Sequence, residues 1–142
     1  RTPNSRVDLS IINEEDIAND NKKSCKIEFK YQFSGDCNNL KDYSKIINKD
    51  FEIRNSDLFI LIVSHWDKTD KKEFDEKWGI TSNLSRFISK NDTWKNNILK
   101  SFENSKETGE LISLDKIEVE LPYKSEYYIY LLARKQETPN TF

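Results

Sequence analysis

The sequence has no methionine, one histidine, two cysteines, three glycines and three prolines in 142 residues. Each scarcity removes a class of protein. Two cysteines are too few for a disulfide scaffold, and Cys25 and Cys37 lack the spacing of a metal site. His65 stands alone, with no Cys or Asp at ligand spacing, which favours a surface or supporting role over a metal centre. Three glycines leave no phosphate-cradling loop. No apolar run approaches the roughly 20 residues of a membrane span, the longest being Leu58 to Val63. Nor does an apolar stretch follow the opening Arg-Thr-Pro-Asn, as it would in a signal peptide. The expectation is a cytoplasmic protein. A start at Arg1 without methionine suggests a domain taken from a longer chain.

What the chain does have is charge: 34% of residues are Asp, Glu, Lys or Arg, against 35% apolar. The signs nearly cancel, to a net −2. That balance argues against a protein that coats nucleic acid by bulk electrostatics, but leaves a local basic groove open. The length suits one domain, residues 1–142, with no repeat or low-complexity linker to divide it. Its core must rely on large side chains, with eight Phe and three Trp among the aromatics.

Two stretches alternate with the period of a strand. In Cys25 to Phe33, Cys25, Ile27, Phe29, Tyr31 and Phe33 share one face, and Lys26, Glu28, Lys30 and Gln32 the other. The apolar face is expected to enter the core. Arg6 to Ile12 alternates likewise, placing Asp8 and Ser10 opposite Val7, Leu9 and Ile11. Asp is a poor strand residue, so Asp8 needs a reason to be there. A hairpin joining the two strands across the polar segment 13–24 would bring Asp8 and Glu28 to one face.

Downstream, Leu40, Tyr43, Ile46, Ile47 and Phe51 follow helical spacing, with Asn38 or Asn39 as cap. Leu58 to Val63 is apolar throughout, as in a strand buried on both faces and parallel to a neighbour. Strand, helix and buried strand make a crossover unit. Phe74 and Trp78 lie on a short helix that Gly79 can stop, and Trp94, Ile98, Leu99 and Phe102 mark another. Residues 106–110 read as a loop. The runs 117–121 and 127–132 read as strands joined by a turn at Pro122 to Ser125. The fold class is therefore α/β or α+β: a mixed central sheet flanked by helices, with a C-terminal hairpin.

Asp8, Glu28 and Lys30 stand where chemistry could occur. Two converging carboxylates make a hard oxygen site suited to magnesium, with manganese as substitute, and the Phe29 carbonyl could complete it. Such an ion lowers the pKa of bound water and braces a leaving oxygen. Lys30, two residues on, could orient the attacking water or offset charge on a phosphate. The competing reading takes Glu28 and Lys30 as the solvated face of an ordinary strand.

The pattern resembles the PD-(D/E)XK nuclease superfamily. Asp8 matches its Asp, Glu28-Phe29-Lys30 its Glu-X-Lys, and the helix and buried strand follow in order, over roughly residues 6 to 63. Gln32 sits where several members carry a further polar residue. The resemblance implies a restriction endonuclease-like sheet and metal-dependent cleavage of DNA, of restriction-enzyme or nuclease-toxin type; RNA would serve the same chemistry. It assigns Asp8, Glu28, Lys30 and Gln32 as catalytic, with Asp8, Glu28 and the Phe29 carbonyl on the metal. Many members begin with a helix that supplies another acid and for which this chain has no room; either the chain is a fragment lacking that helix or this member lacks it. Val7 stands where the family commonly has Pro. A homodimer or a cognate inhibitor protein would be the partner besides DNA. The rival reading is a silent nuclease-like binding domain or an immunity or antitoxin module.

Other residues have plainer explanations. Tyr127, Tyr128 and Tyr130 could stack on bases but suit core packing. Lys68, Lys71 and Lys72, interleaved with acids, suit a solvated helix face, and Lys90, Lys95 and Lys100 could contact phosphates.

Overall fold

A computed structural model describes residues 8–15, 24–37 and 43–135. Its elements are β1 (Leu9–Ile12), β2 (Ser24–Phe33), α1 (Tyr43–Glu52), β3 (Leu58–Trp66), α2 (Lys68–Lys77), α3 (Leu84–Phe87), α4 (Thr93–Glu103), β4 (Gly109–Val119) and β5 (Ser125–Arg134). The five strands form one mixed sheet in the order β1-β2-β3-β5-β4. Only β2 and β3 run parallel, and the segment carrying α1 connects them. The expected crossover, the antiparallel β1/β2 pair and the C-terminal hairpin are therefore all present. Val7, Leu40 and the proposed caps Asn38 and Asn39 lie outside the described residues. No described helix is long and apolar enough to cross a membrane.

One face of the sheet carries the core. Phe59, Leu61 and Val63 of β3 and Tyr130 and Leu132 of β5 are almost fully buried. Tyr43, Ile47 and Phe51 of α1 and Trp94, Ile98 and Phe102 of α4 pack on them. Each large side chain contributes about 1.5–3 kcal/mol of burial. Tyr128 and Tyr130 thus belong to the core, as packing required.

The opposite face is less sealed. Leu58, Ile60 and Ile62 are only half-buried, so β3 is shut in on one side rather than both. α2 and α3 cover the end of that face, where Phe33 meets Trp66 and Phe87 edge-on at centroid separations of 5.2 and 4.9 Å. Here Lys71 departs from the expected solvated face. It is buried, pairs with Asp75, and lies 4.8 Å from the Tyr123 ring centroid and 5.2 Å from that of Trp66. The aromatic faces attract the ammonium and its stem adds apolar contact. Lys68 and Lys72 remain exposed.

Strand β2 inverts the simplest expectation. Its parallel register sets Glu28 opposite Phe59, Lys30 opposite Leu61 and Gln32 opposite Val63, which is the face beneath α1. The charged side therefore turns inward, while Phe29 and Tyr31 are 41% and 50% exposed. Alternation shows which residues share a face but not which face is inside. Here α1 supplies ionic partners that make the charged face buriable.

β4 begins at Gly109, inside the segment expected to be a loop. A Cβ there would fall 2.3 Å from the Phe51 ring, so only glycine lets the strand pass this helix.

Candidate active site

The inward positions of β2 and the last turn of α1 build one polar cluster. Tyr43, Ile47, Asp50 and Arg54 follow a three- and four-residue helical stripe, apolar at its start and ionic at its end. α1 finishes with Ile53 and Arg54 both donating their N–H to the Lys49 carbonyl, at 2.9 and 3.2 Å. Asn55 then takes a left-handed conformation (φ 56°), which asparagine tolerates better than most residues. The Ser56 N–H donates to the Asp50 carbonyl at 3.0 Å, tying the turn back to the helix. This closure holds the Arg54 guanidinium over β2.

Arg54 Nη1 donates to Glu28 Oε1 at 3.1 Å and to Asp50 Oδ1 at 2.8 Å. Lys30 Nζ lies 3.2 Å from the same Glu28 oxygen. Glu28 and Asp50 are 2% and 1% exposed. Both cations that contact Glu28 approach Oε1. Glu28 Oε2 and Asp50 Oδ2 are buried with no hydrogen-bond partner among the described residues. Burial, and next the charge of Glu28, push the Asp50 carboxyl up; Arg54 and Lys30 oppose the rise. Lys30, Gln32, Lys49, Asp50 and Arg54 border a cavity of about 250 Å³.

Asp8 has a different place. It precedes β1, whose register sets Leu9 opposite Ile27, so Asp8 comes alongside Glu28 and Phe29. Its Oδ2 accepts the Phe29 N–H at 2.9 Å, and its side chain is exposed. The sequence-derived residues thus gather around Glu28, with Lys30 and Gln32 on the buried side of the strand and Asp8 at its outer edge. Asp50 and Arg54 were not among the sequence candidates. Their signal was there: a carboxylate and a guanidinium four residues apart, continuing the apolar stripe of an amphipathic helix.

Magnesium asks for one or two carboxylates and keeps several waters. Two buried carboxylate oxygens without a donor, on Glu28 and on the Asp50 that borders the cavity, fit that demand. No group of three or more His, Cys, Asp or Glu converges among the described residues, so the fit rests on two acids.

His65 lies elsewhere on the core face of the sheet. Its Nδ1 is 2.7 Å from the Oγ of buried Ser34, which also accepts the Ser89 N–H at 3.0 Å. The ring stacks on Trp94 at 5.8 Å, and burial lowers its pKa. This environment favours neutral imidazole in a packing role. Lys95 lies 5.2 Å from the Tyr128 ring centroid, while Lys90 and Lys100 are exposed.

No protein-family model, curated protein or solved structure matches the chain.

Proposed function

We propose that this protein is a magnesium-dependent endonuclease acting on DNA, with a restriction endonuclease-like fold and the Glu28–Lys30 pair of β2 at its centre. The observation that carries the reading is the buried Glu28 carboxylate, with Lys30 on the next inward position of the strand and one oxygen left bare. A strand presenting only a solvated face would leave both side chains in water.

In this reading Glu28 holds the ion, with manganese able to replace magnesium, and a neighbouring acid completes the carboxylate set. The bound ion supplies Lewis acidity toward water and phosphate. Lys30 places its ammonium where the attacking water and the phosphate oxygens meet, and offsets charge as it develops. Gln32 borders the same cavity and can hydrogen-bond the water or the phosphate, while the exposed Lys49 offers a cation to the nucleic-acid backbone. Water gives a proton to solvent as its oxygen bonds to phosphorus, the phosphorus–oxygen ester bond breaks, and the leaving oxygen takes a proton from solvent. The same chemistry would cleave RNA.

A second reading has one observation in its favour. Glu28 Oε1 is already paired with two cations, as in an ionic cluster that serves the fold alone. A silent binding domain or an inhibitor-type module would look like this. Incubating supercoiled plasmid with the protein and magnesium separates the two. The nuclease reading expects nicked and linear DNA, loss of cutting with chelator, and loss in Glu28→Ala and Lys30→Ala proteins that keep their fold. Cutting that survives both substitutions would refute the assignment.

A further inference from the structure

We infer that Asp50, rather than Asp8, is the second carboxylate of the cation site, so that Glu28 and Asp50 together bind one divalent metal ion. The use of that ion rests on the nuclease reading, but its binding can be measured apart from cleavage.

The two acids are held together by a shared donor. Glu28 Oε1 and Asp50 Oδ1 lie 3.1 and 2.8 Å from the same Arg54 nitrogen, so these oxygens are at most 3.1 plus 2.8, or 5.9, Å apart. Arg54 and Lys30 reach Glu28 Oε1, and Arg54 reaches Asp50 Oδ1. The second oxygen of each acid, Glu28 Oε2 and Asp50 Oδ2, is buried without a hydrogen-bond partner among the described residues. A buried carboxylate oxygen without a donor is costly, and two on adjacent acids magnify the cost through mutual repulsion. A hard cation relieves both at once, because two carboxylates and a few waters satisfy magnesium. Arg54 and Lys30 would keep the outer oxygens, fixing the carboxylate planes as outer partners of a metal site do. Asp50 also borders the 250 Å³ cavity, which gives the ion and its waters an approach.

Asp8 meets none of these conditions. One of its oxygens accepts the Phe29 N–H, and the side chain is exposed, so water already solvates it. Its hydrogen bond fixes the start of β1 against β2.

Titration of manganese into the full chain without DNA, followed by the electron paramagnetic resonance signal of free Mn²⁺, tests the inference. Circular dichroism reports the fold of each variant. The wild type should bind one ion. Glu28→Gln and Asp50→Asn should each weaken binding by about tenfold or more, as loss of a carboxylate ligand does, while Asp8→Asn should stay within about threefold. If Asp50→Asn alone does not fold, Asp50→Asn/Arg54→Met removes one buried charge of each sign and should also lose the ion. Binding lost in Asp8→Asn and kept in Asp50→Asn would overturn the inference and leave the nuclease reading standing. A wild type that cuts DNA with magnesium yet binds no manganese alone would likewise overturn only the inference. Absence of both binding and cutting would overturn the two together.

Discussion

Replacing Arg54 with methionine removes the cation that Glu28 and Asp50 share while keeping much of the side chain's apolar stem. Both acids are almost fully buried, and Asp50 would lose the donor to Oδ1. Breaking a buried ion pair from one side costs about 3–5 kcal/mol, because the remaining charge is left without compensation. Lys30 stays at 3.2 Å from Glu28, and the Arg54 side chain is 21% exposed, so the lower end, about 3 kcal/mol, is expected. With unfolding entropy of about 2.1 cal/mol/K per residue, that is roughly a 10 °C fall in Tm for this chain. Thermal melts followed by circular dichroism at pH 7.5 and pH 4.5 read it out. The sign of the pH dependence follows from Asp50. Its pKa is raised in the fold, so its burial penalty is fully present above that folded pKa and is relieved as pH falls toward the ordinary 3.8. Loss of Arg54 raises it further, so the gap between variant and wild type should narrow in acid. A Tm within 2 °C of wild type at pH 7.5, or a gap unchanged at pH 4.5, would refute this electrostatic account.

Two further predictions concern the scaffold. In Gly35→Ala the new Cβ would meet the Arg86 carbonyl oxygen at 2.1 Å and the Phe87 carbonyl carbon at 2.8 Å, both backbone, so the β2 turn must separate from α3. A loss of about 3 kcal/mol is expected, against about 1 kcal/mol for Gly79→Ala, where only the positive φ of 65° opposes the change; urea melts showing equal losses would contradict the close approach. Cys37 is fully buried, and burial, aided by Asp36, pushes its thiol up to about 12. Because the thiolate is the reactive form, a thiol reagent at pH 8 should titrate half-buried Cys25 in the folded protein and Cys37 only after unfolding, and two thiols reacting at one rate would contradict this burial.

Much of the sheet was legible because period two and period 3.6 are imposed by backbone geometry. β2, β3, β5 and the stripes of α1 and α4 emerged from spacing alone, with strand and helix ends moving by a few residues. The orientation of β2 did not. Alternation puts Phe29 and Tyr31 on the face expected in the core and leaves Glu28 open between a site residue and a solvated one, because it carries no information about what lies above each face. That depended on α1 delivering Asp50 and Arg54 over the charged side, a contact between residues more than twenty apart. The site was legible in the same measure. Glu28, Lys30 and Gln32 do share the inward face, but Asp50 reads from the sequence only as a helix residue, and Asp8, expected on one face with Glu28, is exposed with an oxygen on the Phe29 N–H. Lys71 shows the same limit, since only the folded chain sets Trp66 and Tyr123 around it.

If β2 carries the proposed hydrolytic centre, Lys30 acts on the phosphate or its attacking water. Single-turnover cleavage of a labelled DNA duplex at saturating magnesium, comparing wild type with Lys30→Met, tests it most directly. Loss of one preorganised charge at a developing oxyanion predicts a rate lower by about 10²–10³-fold, with the circular dichroism spectrum unchanged. A folded Lys30→Met protein that cuts at the wild-type rate would contradict it.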